Sequence, residues 1–211
     1  MRMAKNRVAG AFDRSGRTRA ALLDAARRVF ADAGYLKAEI AQITRAADRA
    51  TGTFYVHFDN KLELLKAMVE QFQLDLLDSG LNRPEHPPEA APQVLRALWR
   101  THHRHAATFR ALVEAATVHP EMATLYENMR HHARHDFHSM LAGAPRPADA
   151  DRGELTVMAA AIENMVCACL YEWHALGKRP EGYTEERGFQ SVLDIMLRVI
   201  GCAGSASAAD R

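Results

Sequence analysis

Apolar residues return every three or four positions along most of this chain. Over residues 17–33, Leu22, Ala26, Val29 and Ala33 recur at steps of four, three and four, with Leu23 and Phe30 beside them. That spacing predicts a helix with one buried stripe. Gly34 closes it, because a residue with positive φ ends a helix there without a Cβ penalty. A short helix over 39–47 buries Ile40, Ile43 and Ala47, and Asp48-Arg49 makes a turn, Asp being one of the few side chains that tolerate the left-handed region. A third helix over 50–58 buries Phe54 and Phe58 at i, i+4, and a longer one over 61–77 is striped by Leu62, Leu65, Val69, Phe72 and Leu76.

Proline then marks the organisation. None of the eight precedes Pro84, and four fall within 81–92, which reads as a linker. Helical periodicity resumes over 92–106, 108–118 and 120–141, the last opened by Pro120 in its first turn. A loop over 143–153 and a break over 177–183 separate two further helices, 154–176 and 185–200. Period-two alternation is almost absent. The expected fold class is all-α with about nine helices. Residues 1–16 are expected to form a flexible basic N-terminal arm, 17–61 a three-helix domain, 61–77 a connecting helix, 78–200 a larger helical domain, and 201–211 a flexible tail.

Composition narrows this picture. Of 211 residues, 48% are apolar and 25% charged, with 12 Gly and 8 Pro, which excludes a disordered or collagen-like chain. A net charge of +1 hides an asymmetry: residues 1–61 hold 12 Lys+Arg against 6 Asp+Glu, and the remainder holds 15 against 20. A basic end on an acidic body points to a polyanionic partner at that end. Cys167 and Cys169 lie on different helix faces and Cys202 is near the tail, so no disulfide framework is expected. The first 16 residues lack an apolar core of a secretory signal, and no stretch holds the roughly 18–20 uninterrupted apolar residues of a membrane span. The expected location is the cytoplasm, without a membrane partner. No Gly-rich phosphate loop, Gly-x-Ser-x-Gly elbow, His-Glu-x-x-His or dinucleotide fingerprint is present, so neither an enzyme nor a cofactor is expected.

Two short helices joined by a tight turn and braced by a third make a helix-turn-helix, whose second helix enters the major groove. With Phe54 inward, a 100° step turns Gly52, Thr53 and Val56 outward and puts Tyr55 and His57 on the flanks. Gly52 allows close backbone approach, and Tyr55, His57 and Lys61 suit phosphate oxygens. Arg17 and Arg19 start the first helix, and Arg49 stands in the turn. The candidate DNA contacts are therefore Arg17, Arg19, Arg49, Thr51, Gly52, Thr53, Tyr55, Val56, His57 and Lys61.

These residues carry a resemblance. Arg19-x-x-x-Leu23-Asp24-Ala25-Ala26, Phe30, Gly34, and then Gly52-Thr53-Phe54-Tyr55-Val56-His57-Phe58-x-x-Lys61-x-x-Leu64-Leu65 resemble the DNA-binding domain of the TetR family of transcriptional regulators. The chain departs from the family pattern at Glu39 and Ala50, where hydroxyl caps are usual, at Asp48, where Gly is usual, and at Arg49, where an apolar residue is usual. The resemblance implies a homodimeric repressor that binds a double-stranded DNA operator and is released by a small, largely apolar effector held in the C-terminal domain.

Within 78–200 the residues that suit an apolar pocket are Trp99, His103, Phe109, Glu114, Met122, Tyr126, Met129, Met158, Ile162, Met165 and Trp173, each of which also suits ordinary core packing. The last two helices carry more apolar surface than a small monomer readily buries. This makes Val157, Ala161, Cys169, Val192, Ile195, Met196 and Val199 the candidate dimer interface, with an intramolecular core as the alternative. Two histidine clusters, His102/His103/His105 and His131/His132/His135/His138, leave open a metal- or pH-responsive regulator, although no metal ligand set is assigned. A small helical enzyme or carrier is the remaining alternative.

Overall fold

A computed structural model of the chain describes residues 2–81, 88–144 and 152–205. Among these residues there are nine α-helices and no strand: α1 (Arg2–Lys37), α2 (Ile40–Ala46), α3 (Thr51–Tyr55), α4 (Lys61–Leu76), α5 (Ala91–Arg104), α6 (Ala106–Ala116), α7 (Pro120–Gly143), α8 (Arg152–Leu170) and α9 (Glu185–Ser205). The last turns of the α4 and α8 rods widen into π-helical segments, Leu77–Leu81 and Tyr171–Ala175. The expected loop residues 82–87 and 145–151, and the end of the tail at 206–211, lie outside the described residues.

The first helix is longer than its apolar stripe. It begins at Arg2 rather than near Arg17, so the segment expected as a flexible arm continues the rod. Residues 2–16 contain no proline and are rich in Ala and Arg, strong helix formers that need no buried face to extend an existing helix. The last helix likewise runs past Ile200 to Ser205, into the expected tail.

Gly34 interrupts α1 with φ 76° and ψ 166°. The positive φ matches the expected stop, but ψ is extended rather than left-handed helical, a combination that only glycine adopts readily. The site is also crowded: a Cβ here would stand 2.6 and 2.8 Å from the two carboxylate oxygens of Glu114 on α6. The chain turns where α6 presses against it.

Two cores follow from this approach. The N-terminal core gathers Leu22, Phe30, Tyr35, Ile43, Phe54, Phe58, Leu64, Leu65 and Met68, and it also takes Ala111, Leu112 and Ala115 of α6 and Met122 of α7. The C-terminal core is built around Phe72, Leu95, Trp99, Phe109, Phe137, Val166, Phe189 and Met196. Packing thus assigns one face of α6 to the N-terminal domain, although the chain boundary expected near residue 78 separates them in sequence.

Charged pairs lock the helices of the second core. Glu163 of α8, fully buried, accepts from Arg130 Nε and Nη2 of α7, both at 2.8 Å. Burial alone would raise the Glu163 pKa, but the guanidinium outweighs it and holds the carboxylate below its ordinary range. Asp75 of α4 accepts from His105 Nε2 at 2.8 Å, and the His105 and Gln71 hydrogen bonds pull its pKa down to about 2. Gly153–Ala175 is, by length and mean hydropathy, apolar enough to cross a bilayer, although Thr156, Glu163 and Asn164 interrupt its apolar run. Its central Glu163, however, is paired with a neighbouring helix of the same chain.

Gly34→Ala is expected to lower the urea-unfolding free energy by about 1–3 kcal/mol, since the new Cβ meets both a forbidden backbone region and the Glu114 carboxylate. Gly52→Ala is the contrasting measurement: its Cβ would meet nothing within 4 Å, and stability should hold or rise.

Candidate nucleic-acid interface

The helix pair is set by backbone hydrogen bonds. Asp48 takes φ 54°, its N–H donates to Arg45 O at 3.1 Å, and Arg49 N–H donates to Thr44 O at 2.9 Å. This is the two-bond helix stop usually built with glycine, here managed by Asp. Arg28 of α1 donates to Ala46 O at 2.9 Å, tying the brace to the C-terminal end of α2. At the N-terminal end of α2, Gln42 Oε1 accepts the Glu39 N–H at 2.9 Å and so supplies a cap without a hydroxyl residue. Ala50, the N-cap of α3, has no side chain for that purpose, and the Thr51 hydroxyl lies 3.5 Å from that of Thr44 instead.

Five residues of helix hold no structure alone. Phe54 and Phe58 supply the anchor, 0% and 5% exposed, with ring centroids 5.7 Å apart. The opposite side is open. Val56 is 77% exposed and Tyr55 56%, and Thr51 and Gly52 are exposed too. Thr53 and His57 are half-buried, so Tyr55 faces outward more fully than Thr53, an inversion of the wheel-based expectation. Tyr55 leans its ring edge on Phe54 at 5.5 Å, which aims it without covering it.

Cations flank this face. Arg17 and Arg19 are exposed on α1, and the Arg19 guanidinium sits 5.2 Å from the Phe58 ring centroid. Arg49 is exposed, with Nη1 donating to Asp48 O at 2.7 Å. Arg45, absent from the sequence-derived candidates, is exposed in the last turn of α2 and lines the same cleft as Arg49 and Thr51. The sequence does carry its signal: it is the last basic residue before the turn, on the side of α2 opposite Ile43.

Lys61 is placed differently from expectation. Its ammonium is not offered freely to solvent but donates to Tyr35 O at 2.6 Å and Ala38 O at 2.8 Å, and lies 4.4 Å from the Tyr35 ring centroid. Burial pushes its pKa below the ordinary lysine value, against the opposing charge of Glu114. Two of its three protons hold the α1–α2 junction, which makes it first a positioning residue.

The C-terminal domain contains a cavity of about 440 Å³ among α4, α5, α6, α7 and α8. Of the expected pocket residues, Phe109, Tyr126 and Met129 line it. The others do not. Trp99 is buried between Trp173, His174 and Phe189, and Met158, Ile162, Met165 and Trp173 belong to the core packing. Met122 joins the N-terminal core, Glu114 pairs with Arg110 at 2.9 Å beside Gly34, and His103 is exposed. The wall instead includes Leu74, Leu76 and Leu77 from α4 and its end, with Leu98, Phe137, Val166 and Leu170. Leu74 and Leu77 lie off the main α4 stripe, the one sequence hint of a second apolar face. His102 lines the cavity as well; its Nδ1 faces Leu98 O at 2.9 Å, and burial pushes its pKa down to about 4, so the imidazole is neutral. Glu70, Gln73, Arg130, His132 and Asp136 add polar side chains to a mostly apolar lining.

The expected dimer residues also divide. Val157, Ala161 and Ile195 are exposed, Val157 at 69% and Ile195 at 48%, and Cys169 and Val199 are half-buried. Val192 and Met196 are buried in the chain's own core, the turn of α9 having carried them inward. Cys167 and Cys169 are free thiols.

The histidine clusters do not converge as their spacing implied. His102 bonds to Leu98 O, His105 to Asp75, and His132 to Asn128 O at 2.7 Å. Among the described residues the one group of three metal-type donors is His103, His174 and Glu185, drawn from three elements.

Comparison with known proteins agrees with this geometry. Residues 22–68 match the family model described as bacterial regulatory proteins, tetR family. A TetR-like transcriptional regulator from Rhodococcus sp. RHA1 superposes with a TM-score of 0.69 at 15% identity, over 90% of this chain and 97% of that one. A tetR-family regulatory protein from Rhodococcus RHA1 gives 0.69 at 22% identity, over 88% and 98%. NalD of Pseudomonas aeruginosa, the secondary repressor of the MexAB-OprM multidrug efflux pump, gives 0.57 at 19% identity, over 89% and 97%. No curated protein matches the chain. The matched family is one of DNA-binding regulators of transcription, not of enzymes.

Lys61→Ala is expected to lower the melting temperature of the DNA-free protein by several degrees, about 1–2 kcal/mol for two charge-assisted hydrogen bonds to buried carbonyls. Exposed Arg45→Ala, measured alongside, should leave it within about 0.5 kcal/mol of wild type.

Proposed function

We propose that the chain, whose residues 22–68 match the family model of bacterial regulatory proteins of the tetR family, is a homodimeric repressor released from its operator by a small, largely apolar effector. The observation that carries the reading is the α3 surface: a helix pinned by two buried phenylalanines, with Gly52, Tyr55 and Val56 open to a groove and Arg17, Arg19, Arg45 and Arg49 around it for phosphates. Thr51, Thr53 and His57 complete the DNA-facing surface at its edges. Two such helices read half-sites of a palindrome about 34–36 Å, or a multiple, apart. The work is done in the cytoplasm, where the operator is.

Dimerisation is supported by Val157, Ala161 and Ile195, apolar residues that α8 and α9 turn outward. The effector reading is supported by the cavity, whose size falls in the range of small-molecule sites. Phe109, Tyr126 and Met129 make its adaptable apolar wall, and neutral His102 and Arg130 are the polar groups that orient a ligand. The cavity borrows its wall from α4, which starts at Lys61 beside the α1–α2 junction and ends at the ligand. It also borrows Phe109 from α6, which presses on Gly34. A ligand that fits the cavity better when these two helices shift draws the recognition helices out of register. It can move the equilibrium only by its difference in affinity for the two states; a change from 1:99 to 99:1 needs about 5.5 kcal/mol.

Footprinting on the DNA immediately upstream of the protein's own coding region should show protection of a palindrome. Tyr55→Ala and Arg45→Ala should each weaken operator binding, and Arg45→Ala should also reduce the slope of log affinity against log salt by about 0.9 for the phosphate no longer neutralised, whereas loss of the uncharged Tyr55 should leave the slope as it is. Unchanged affinity and slope in both would remove α3 and the end of α2 from the interface.

Met129→Trp, which narrows the cavity, should leave operator affinity intact while weakening the response to an apolar effector by tenfold or more. A variant that lost DNA binding and effector response together would place the cavity in the DNA-binding scaffold rather than in a ligand site.

A further inference from the structure

Outside the cavity, three elements bring one donor each to a single point. His103 is in the last turn of α5, His174 in the π-helical segment that ends the α8 rod, and Glu185 is the first residue of α9. His103 Nδ1 and His174 Nδ1 stand 3.2 Å apart, His103 Nδ1 and Glu185 Oε1 3.4 Å apart, and the three donor atoms lie within 4.8 Å of one another. We infer that His103, His174 and Glu185 form a binding site for a divalent transition metal of the zinc class, with its fourth position open to solvent.

The distances carry the argument. With metal–nitrogen bonds of about 2.0–2.1 Å, neighbouring donors of a tetrahedral zinc shell stand roughly 3.3–3.4 Å apart. Two edges of the triangle already have that length. Two imidazoles facing nitrogen to nitrogen satisfy only one lone pair with a shared proton, whereas a metal takes both. Two nitrogens and one carboxylate oxygen suit zinc and its first-row neighbours rather than calcium or magnesium, which take oxygen ligands. Three protein ligands with one side open is a ligand-accepting arrangement, and exposed His103 provides the entry path.

The frame is rigid, which separates this triad from histidines that drift together on a surface. Trp173 occupies the place of a side chain on α9: a Cβ on Gly188 would fall 2.0 Å from its ring. That packing docks the segment bearing His174 against the helix that begins with Glu185. Trp99 packs edge-on against His174 at 5.0 Å between ring centroids. Arg96 of α5 grips Glu186, the residue after Glu185, through bonds of 2.6 and 2.7 Å and lies 3.4 Å from the Phe189 ring centroid, which sets α5 against α9. Donors on packed elements are held to the tolerance a metal site needs. A bound ion would staple the ends of α5 and α8 to the start of α9.

The test uses the full chain and needs no DNA, so it stands apart from the repressor reading. Isothermal titration with zinc chloride should give one ion per chain, and zinc should raise the melting temperature. Cobalt(II) in its place should show the intense visible absorption of a four-coordinate site. His103→Gln and Glu185→Gln, both melting as wild type does without metal, should each weaken zinc by more than about tenfold, the loss that even outer-shell groups can cause. The double variant His131→Gln/His135→Gln should bind as wild type. Absence of saturable binding, wild-type affinity in His103→Gln, or loss of binding in the double variant would each overturn the site.

Discussion

The architecture turns on how closely α6 approaches the end of α1. A side chain at Gly34 would be strained by the positive φ and would have to push aside the Glu114 carboxylate. Around that approach the chain collects polar ties: Arg110 donates to Ala31 O at 2.9 Å, Leu36 N–H donates to Glu114 Oε2 at 3.3 Å, and the Tyr35 hydroxyl meets His119 Nε2 at 3.2 Å. Lys61 closes the ring from α4. The bonds of Tyr35 and Lys61 are part-buried, so losing either partner leaves a polar group unsatisfied away from water, which stiffens the junction.

The same junction ties the helix-turn-helix to the helices that wall the cavity. The recognition helix is anchored by little beyond two rings, so its direction follows the α1–α2 junction. That junction is held by α4 and α6, and both contribute to the cavity wall. Displacements of a fraction of an ångström at Phe109 or Leu77 have no soft layer in which to dissipate, since close-packed interfaces shift between discrete arrangements rather than deform gradually.

The N-terminal unit is legible in the sequence because its determinants are local. Gly34, the Asp48 turn and the Phe54/Phe58 anchor each act within a few residues. What stays hidden depends on distance along the chain. The partners of Lys61 are carbonyls from the far side of a turn, and a lysine at a helix start reads as surface charge until they are seen. The cavity takes its wall from five helices, so helical spacing singles out Phe109, Tyr126 and Met129 but also ordinary core residues such as Ile162 and Met165. Histidine clustering in sequence misleads for the same reason. His102 and His103 are adjacent and point apart, while His103 meets His174 and Glu185, which lie on other elements. The early start of α1 escapes a count of apolar stripes, because the regular apolar spacing begins only after Arg17.

Because α6 lends Ala111, Leu112 and Ala115 to the N-terminal core, the helix-turn-helix unit is not self-contained. A fragment cut after α4 would bare the flank of Leu22, Phe30 and Leu65 to water, and with it the reason for Gly34 to turn. In this protein the helix-turn-helix cannot be grafted elsewhere as a module. Heat should melt the two halves as one cooperative body, with calorimetric and van't Hoff enthalpies in agreement.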